Sequence, residues 1–224
     1  MRHFFVLYVC IVLLSSPTMA ADVQNSLLDV KVSSFTSNAQ IEQAVSDLAS
    51  SLGGLMAGEA VHKTSTDPST GASEAPGPAI SVSVRDMTVR DILDLLVAKD
   101  SRYCYVVSGD WINLVPKNAA TDPNYVYNRH IPGKVVVSTD STKDTSIKAW
   151  AEENRVSSML LTMGDMRRSL PTATQTVTLV NPTFREYTNA RMRLSGKNRW
   201  FGDCRPRKDG GTLIVFHYSV VKPD

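Results

Sequence analysis

Reactive side chains are scarce in this chain, and their spacing excludes more than their number does. Three cysteines and four histidines occur in 224 residues. There is no CxxC pair, no HxxxH helical spacing and no GxSxG turn. A zinc site, a thioredoxin-type redox motif and a serine-hydrolase nucleophile therefore lack sequence support. His62, His130 and His217 stand alone, and Gly196-Lys197 lacks the upstream glycine and following Ser or Thr of a phosphate loop. Asp91 and Asp94 share a helix face as cap and solvated neighbour, and Glu152-Glu153 reads as an exposed helix surface. The sequence presents no catalytic residue, no metal ligand set and no cofactor motif. An enzyme would need His130 or His217 gathered with acids that the sequence does not place together, so a non-catalytic protein is expected.

Long apolar runs are also missing after residue 20. The first twenty residues hold a short basic start (Arg2, His3), an apolar stretch from Phe4 to Leu14, and small residues ending at Ala20. That is the pattern of a secretory signal peptide, too short to span a bilayer comfortably, with an uncleaved anchor as the alternative. No span of about twenty apolar residues follows, so no membrane span is expected after cleavage. The expected location is periplasmic or secreted. With Arg2 removed, 23 basic residues face 22 acidic ones, which gives no general attraction to nucleic acid. Cys10 lies in the leader, leaving Cys104 and Cys204. In an oxidising compartment these two are a possible disulfide, and sequence does not supply the geometry a bridge requires.

What is present is alternation between two periods. Asp29–Phe35 alternates like a strand, and Ile41, Val45, Leu48 and Leu52 lie at helical spacing. A short strand is expected at Leu55–Val61. The Ser/Thr/Pro/Gly-rich stretch 64–78 reads as a loop. Ile80–Val84 alternates strictly, Val89–Ala98 reads as a helix, and Tyr103–Val107 and Trp111–Val115 form a hairpin around Ser-Gly-Asp. Sliding the chain by 95 residues lays ISVSVRDMTVRD (80–91) over QTVTLVNPTFRE (175–186). Both segments continue to a basic-aromatic pair, Arg102-Tyr103 and Arg199-Trp200, then to a turn and a closing apolar strand. The first halves agree less well, with a strand expected at Val135–Val137, a helix at Ile147–Asn154 and a strand at Ser158–Met163. Two diverged copies of one unit are expected, at 28–117 and 129–220, with 118–128 as linker.

TVRD (88–91) and TFRE (183–186) have the form of capping boxes. Thr88 and Thr183 would accept from first-turn N–H groups, while Asp91 and Glu186 reach back to the Thr N–H and face the positive helix end. Capping needs no Arg, so Arg90 and Arg185, read as solvent-facing, are left to pair with a neighbouring strand or a partner. One charged feature remains. Arg185, Arg191, Arg193, Lys197, Arg199, Arg205, Arg207 and Lys208 face only Glu186 and Asp203, a net +6 over 185–208. Outside the cytoplasm such a segment suits an acidic protein surface, an anionic glycan or a lipid headgroup.

ISVSVRDMTVRDILDLLVAKDSRYCYVVSGDWINLVP (80–116) resembles the secretin and TonB short N-terminal (STN) domain: an alternating strand, a T/S-x-R/E-[DE]-A/I-L helix start, a Tyr-containing strand, a turn and an apolar strand. Residues 29–60 resemble the half that precedes it, and 64–78 departs from it as an insertion. Residues 129–220 resemble a more degraded copy, in which Thr188, Asn189 and Arg191 replace apolar helix residues. The resemblance implies an α+β fold of two tandem βαββαββ units, with small mixed sheets and helices packed on them. It implies a stand-alone docking or signalling protein of the bacterial cell envelope, with envelope proteins as partners. An envelope binder of an anionic glycan or lipid, acting through the 185–208 face, is the alternative.

Overall fold

The computed structural model describes residues 27–52, 55–59, 77–108, 110–139, 145–162 and 174–219. The signal peptide expected at 1–20 and most of the loop expected at 64–78 lie outside them. The elements are β1 (Lys31–Ala39), α1 (Ile41–Leu52), β2 (Met56–Glu59), β3 (Ile80–Thr88), α2 (Val89–Lys99), β4 (Tyr103–Ser108) and β5 (Trp111–Pro116). A 3-10 turn at Val126–Asn128 precedes β6 (Lys134–Ser138), α3 (Thr145–Glu153), β7 (Val156–Thr162), β8 (Thr176–Val180), α4 (Phe184–Leu194), β9 (Arg199–Pro206) and β10 (Thr212–Ser219). The architecture is α+β. The order from β1 to β5 is strand, helix, strand, strand, helix, strand, strand, and the order from β6 to β10 is the same.

Among the described residues the strands form three sheets. β1 pairs antiparallel with β3, and β6 with β8, as separate two-stranded sheets. The third has six strands in the order β4-β5-β2-β9-β10-β7. Within it β4–β5 and β9–β10 are antiparallel, while β2–β5, β7–β10 and β2–β9 are parallel.

Successive residues of a strand point to opposite faces, and this sheet uses both faces as cores. Met56, Ile112, Leu114 and Tyr103 point to one face, where they meet Ile41, Val45 and Leu48 of α1 and Ile92, Leu93 and Leu96 of α2. Ala57, Trp111, Trp200, Ile214 and Phe216 point to the other, against Trp150 of α3 and Phe184, Tyr187 and Met192 of α4. The first pair of helices thus covers one face and the second pair the opposite face. Each fully buried Leu, Ile or Val contributes roughly 1.5–3 kcal/mol, so the i, i+3, i+4 spacing of α1 and α2 is enough to pin both helices. The expected linker is not free chain. Val126 and Tyr127 are fully buried in the second core, and Tyr127 lies 5.5 Å from the rings of both Phe184 and Trp200.

Both threonine caps are present, with one difference. At α4 the box closes: Thr183 Oγ1 accepts from the Glu186 N–H (3.2 Å), and the Thr183 N–H donates to Glu186 Oε2 (2.7 Å). At α2 the Asp91 N–H donates to Thr88 Oγ1 (3.1 Å), but the Asp91 carboxylate accepts from the Thr88 hydroxyl (2.7 Å). Aspartate is one methylene shorter than glutamate, and the reciprocal backbone bond expected there is replaced by a side-chain bond.

Candidate functional site

The feature that organises this molecule is the junction where β2 lies parallel to β9. Met56, Ala57, Gly58 and Glu59 stand opposite Arg199, Trp200, Phe201 and Gly202. Close approach is built in on each face. A Cβ on Gly58 would fall 2.1 Å from the Phe201 ring, and one on Gly202 would collide with the Tyr127 hydroxyl, so neither position accepts a side chain without repacking.

Glu59 ends β2 and has no exposed surface. Its carboxylate takes two bonds from Arg185 of α4: Nε to Oε1 at 2.6 Å and Nη2 to Oε2 at 3.1 Å. The Arg185 side chain is 7% exposed. Burial pushes the Glu59 carboxyl above its usual range, with the two Arg185 bonds and that charge pulling the other way. The Tyr125 and Tyr127 hydroxyls border the pair without a formed hydrogen bond. The arrangement is a clamp sealed from solvent, with no open position for a reacting group. Arg185 is therefore buried and not solvent-facing as expected, and of the two pairings left open for it, a neighbouring strand or a partner, it takes the strand. Arg90, at the matching point of α2, is the surface arginine, 3.5 Å from Asp29.

The polar residues of α4 line this junction. Thr188 returns its hydroxyl to the Phe184 carbonyl (2.8 Å). Trp200 Nε1–H donates to Asn189 Oδ1 (2.9 Å), and Asn189 Nδ2 donates to Asn113 Oδ1 (3.2 Å). Asn113 Nδ2 in turn reaches the carbonyls of Val106 (3.2 Å) and Trp111 (3.3 Å). A buried amide relay therefore crosses from β9 through α4 to β5 and β4. What reads as decay of an apolar helix is a polar stripe matched to a polar seat.

The 185–208 segment does not form one basic face. Arg185 is buried at the junction, while Arg199 points to the opposite face and donates to Ser46 Oγ and, at 3.3 Å, to the Ser46 carbonyl. Arg193 pairs with Asp110, Arg205 with Asp203 (2.7 Å) and Arg207 with Asp209 (2.9 Å). Arg191 donates to Tyr187 Oη (3.2 Å). Lys197 is half-buried behind α4, and Lys208 is exposed in the turn before β10.

Cys104 and Cys204 are free thiols, so the possible bridge is not formed. Tyr105 stands opposite Leu114, Leu114 opposite Gly58 and Gly58 opposite Phe201, with Cys104 one residue and Cys204 three residues away along their strands. Three strand spacings separate them, roughly 14 Å, well beyond the ~7 Å Cα limit for a disulfide. Burial raises both thiols above the ordinary range.

Two depressions lined by described residues flank α4. One of about 230 Å³ between α3, α4 and the sheet is lined by Ile147, Phe184, Tyr187, Met192 and Phe216, with Lys148 and Arg191 at its polar side. The other, about 430 Å³, runs between α4 and β8, with Trp111, Val177, Val180, Asp110, Glu186 and Arg193 in its walls. Among the described residues no group of three His, Cys, Asp or Glu could hold a metal, and no helix is long and apolar enough to cross a membrane.

The sheet ends at β4 on one side and β7 on the other, and among the described residues nothing pairs with their outer sides. The Lys117 N–H donates to the Arg102 carbonyl. That sets the phase of the β4–β5 ladder, so Tyr105 and Val107 aim their backbone groups outward. On β7 the Thr212 N–H takes the Arg155 carbonyl, which leaves Val156 and Ser158 facing out. Neither YCYVVS nor VSSMLLT holds a charge or a proline, the residues with which exposed edges are ordinarily blunted.

Sequence reasoning missed Glu59, Asn113, Tyr125 and Tyr127. The signal was a glutamate closing the small-residue strand MAGE, and an arginine in TFRE that capping did not require. No protein family, no curated protein and no solved structure matches the chain.

Proposed function

We propose that the chain is a non-catalytic docking protein of the bacterial cell envelope, periplasmic or secreted. On this reading it comprises two tandem βαββαββ units akin to the STN domain, 28–117 and 129–220, and engages a partner by adding a strand at an open sheet edge. The repeated element order supports the tandem reading. So does a backbone detail. Asp86 and Asn181, 95 residues apart, both adopt positive φ, 52° and 46°, a conformation that Asp and Asn tolerate better than most residues. The envelope location rests on the leader pattern at 1–20.

The observation that carries the function is the β2–β9 junction. One unit docks on the other by laying a parallel strand along its edge, with a buried Arg–Glu pair fixing the register. Main-chain bonding gives such contacts affinity, and side chains at alternate positions give them specificity. The β4 edge repeats the arrangement in part, with Arg90 placed near Tyr105 and, among the described residues, no strand beside it.

A photo-crosslinking residue in place of Val106 tests this in cells. A discrete adduct is expected, lost when Val107→Pro removes an outward N–H. Adducts equally strong from a crosslinker at exposed Lys208, or insensitive to Val107→Pro, would refute docking at β4.

A further inference from the structure

We propose that the occupant of the open edge is a second copy of this chain, docked head to tail, with β7 of one copy adding in parallel to β4 of the next. This rests on the strand-addition reading and names its partner.

The argument is one of symmetry. Across the sheet, β4, β5 and β2 point down, up and up, and β9, β10 and β7 point up, down and down. The first pair of helices covers one face and the second pair the other. The second half therefore follows from the first by a half-turn about the line crossing the strands, plus a shift of three strands, roughly 14 Å. Such an operator does not return to its start. It consumes β2 and β9 at the internal junction and leaves β7 and β4, their counterparts, unused at the two ends among the described residues. Applying it once more sets β4 of a new copy alongside β7. The two strands then run parallel, as β2 and β9 do, and the incoming helices fall on the face left open.

The edges fit this use. Both strands are uncharged and free of proline, of six and seven residues against the four of β2. Their outward groups are at Tyr105 and Val107 on one side, and Val156 and Ser158 on the other. One component of the internal junction is not repeated. The strand that would meet Arg90 carries no acid, and Arg90 keeps Asp29 as its partner. The end contact thus depends on the main-chain ladder and on concentration, whereas the internal one is held intramolecularly. A heterologous contact that does not close produces chains of molecules, not a symmetric dimer.

Sedimentation velocity of the purified protein over a concentration series tests the proposal. The sedimentation coefficient is expected to rise without a plateau. Val107→Pro, which blocks β4, and Ser158→Pro, which blocks β7, should each abolish the rise. Mixed one to one, the two variants should give a single heterodimer that grows no further, because one free β4 meets one free β7. Circular dichroism verifies folding, and Val106→Lys with Ser158→Lys replaces the pair if a proline variant does not fold. A constant coefficient in the parent protein overturns self-docking, and the Val106 crosslink then still reports a different partner. A rise that survives both variants, or a dimer lost in only one of them, overturns it equally.

Discussion

Glu59 and Arg185 are the residues on which the molecule is most exposed to a single change. Removing one member of a buried ion pair leaves an uncompensated charge. Arg185→Ala is therefore expected to lower the unfolding free energy by roughly 3–5 kcal/mol, read by urea denaturation. Replacing both with methionine should recover most of that loss, since a well-packed apolar pair of similar size is often no less stable. Asp100 gives the pH dependence. Its buried carboxylate accepts from Arg102 Nε (2.8 Å) and Nη2 (2.5 Å), which holds it below the usual carboxylate range. A depressed acid contributes stability that is present above about pH 4, its unfolded value, and lost as pH falls through the native value. Asp100→Asn should flatten the acid limb of the stability profile, and only modestly, because Arg102 is 35% exposed. Thiol labelling in denaturant without reductant should modify both Cys104 and Cys204, and a bridged pair would contradict the sheet register.

Among the elements, α4 differs most from its reading in sequence. Asn189 joins the Trp200 indole to Asn113, so Asn189→Ala orphans a buried N–H and should cost about 1–3 kcal/mol in thermal or chemical unfolding. Asn189→Asp is the harsher change, placing a charge in the same seat. Most element types and approximate bounds were legible from periodicity, because the helices bury one face against apolar residues, as α1 and α2 do against their own half. The destinations of Arg185, Thr188 and Asn189 were not. Helix spacing says which residues share a face with the core, and it carries no information on whether that core offers leucine or a buried amide. The partner of Arg185 lies 126 residues earlier in the chain, beyond any local pattern. The basic run 185–208 misled for the same reason. Arg199 and Trp200 are neighbours in a strand, so one points to each face of the sheet.

At the scale of the whole molecule, the two halves share one sheet and cannot be separated without baring β2. Residues 27–119 and 120–219, made as separate chains, are expected to associate in solution, and Arg185→Ala in the second piece should weaken that association. Isothermal titration calorimetry measures it, and two pieces that each fold without affinity for the other would show the junction to be incidental.

The same junction has a kinetic consequence. Its strands stand 143 positions apart in register, Met56 against Arg199, and contacts of such sequence separation are slow to close. Until the second half arrives, the first half presents a bare four-residue edge, the type of surface on which nascent chains pair wrongly. Glu59 sits on that edge. Before Arg185 reaches it, its solvated charge keeps the strand from pairing with a neighbour's, as gatekeeper residues do. Once Arg185 docks, that charge becomes the lock. The residue most costly to bury in the finished protein is the one that guards the unfinished one.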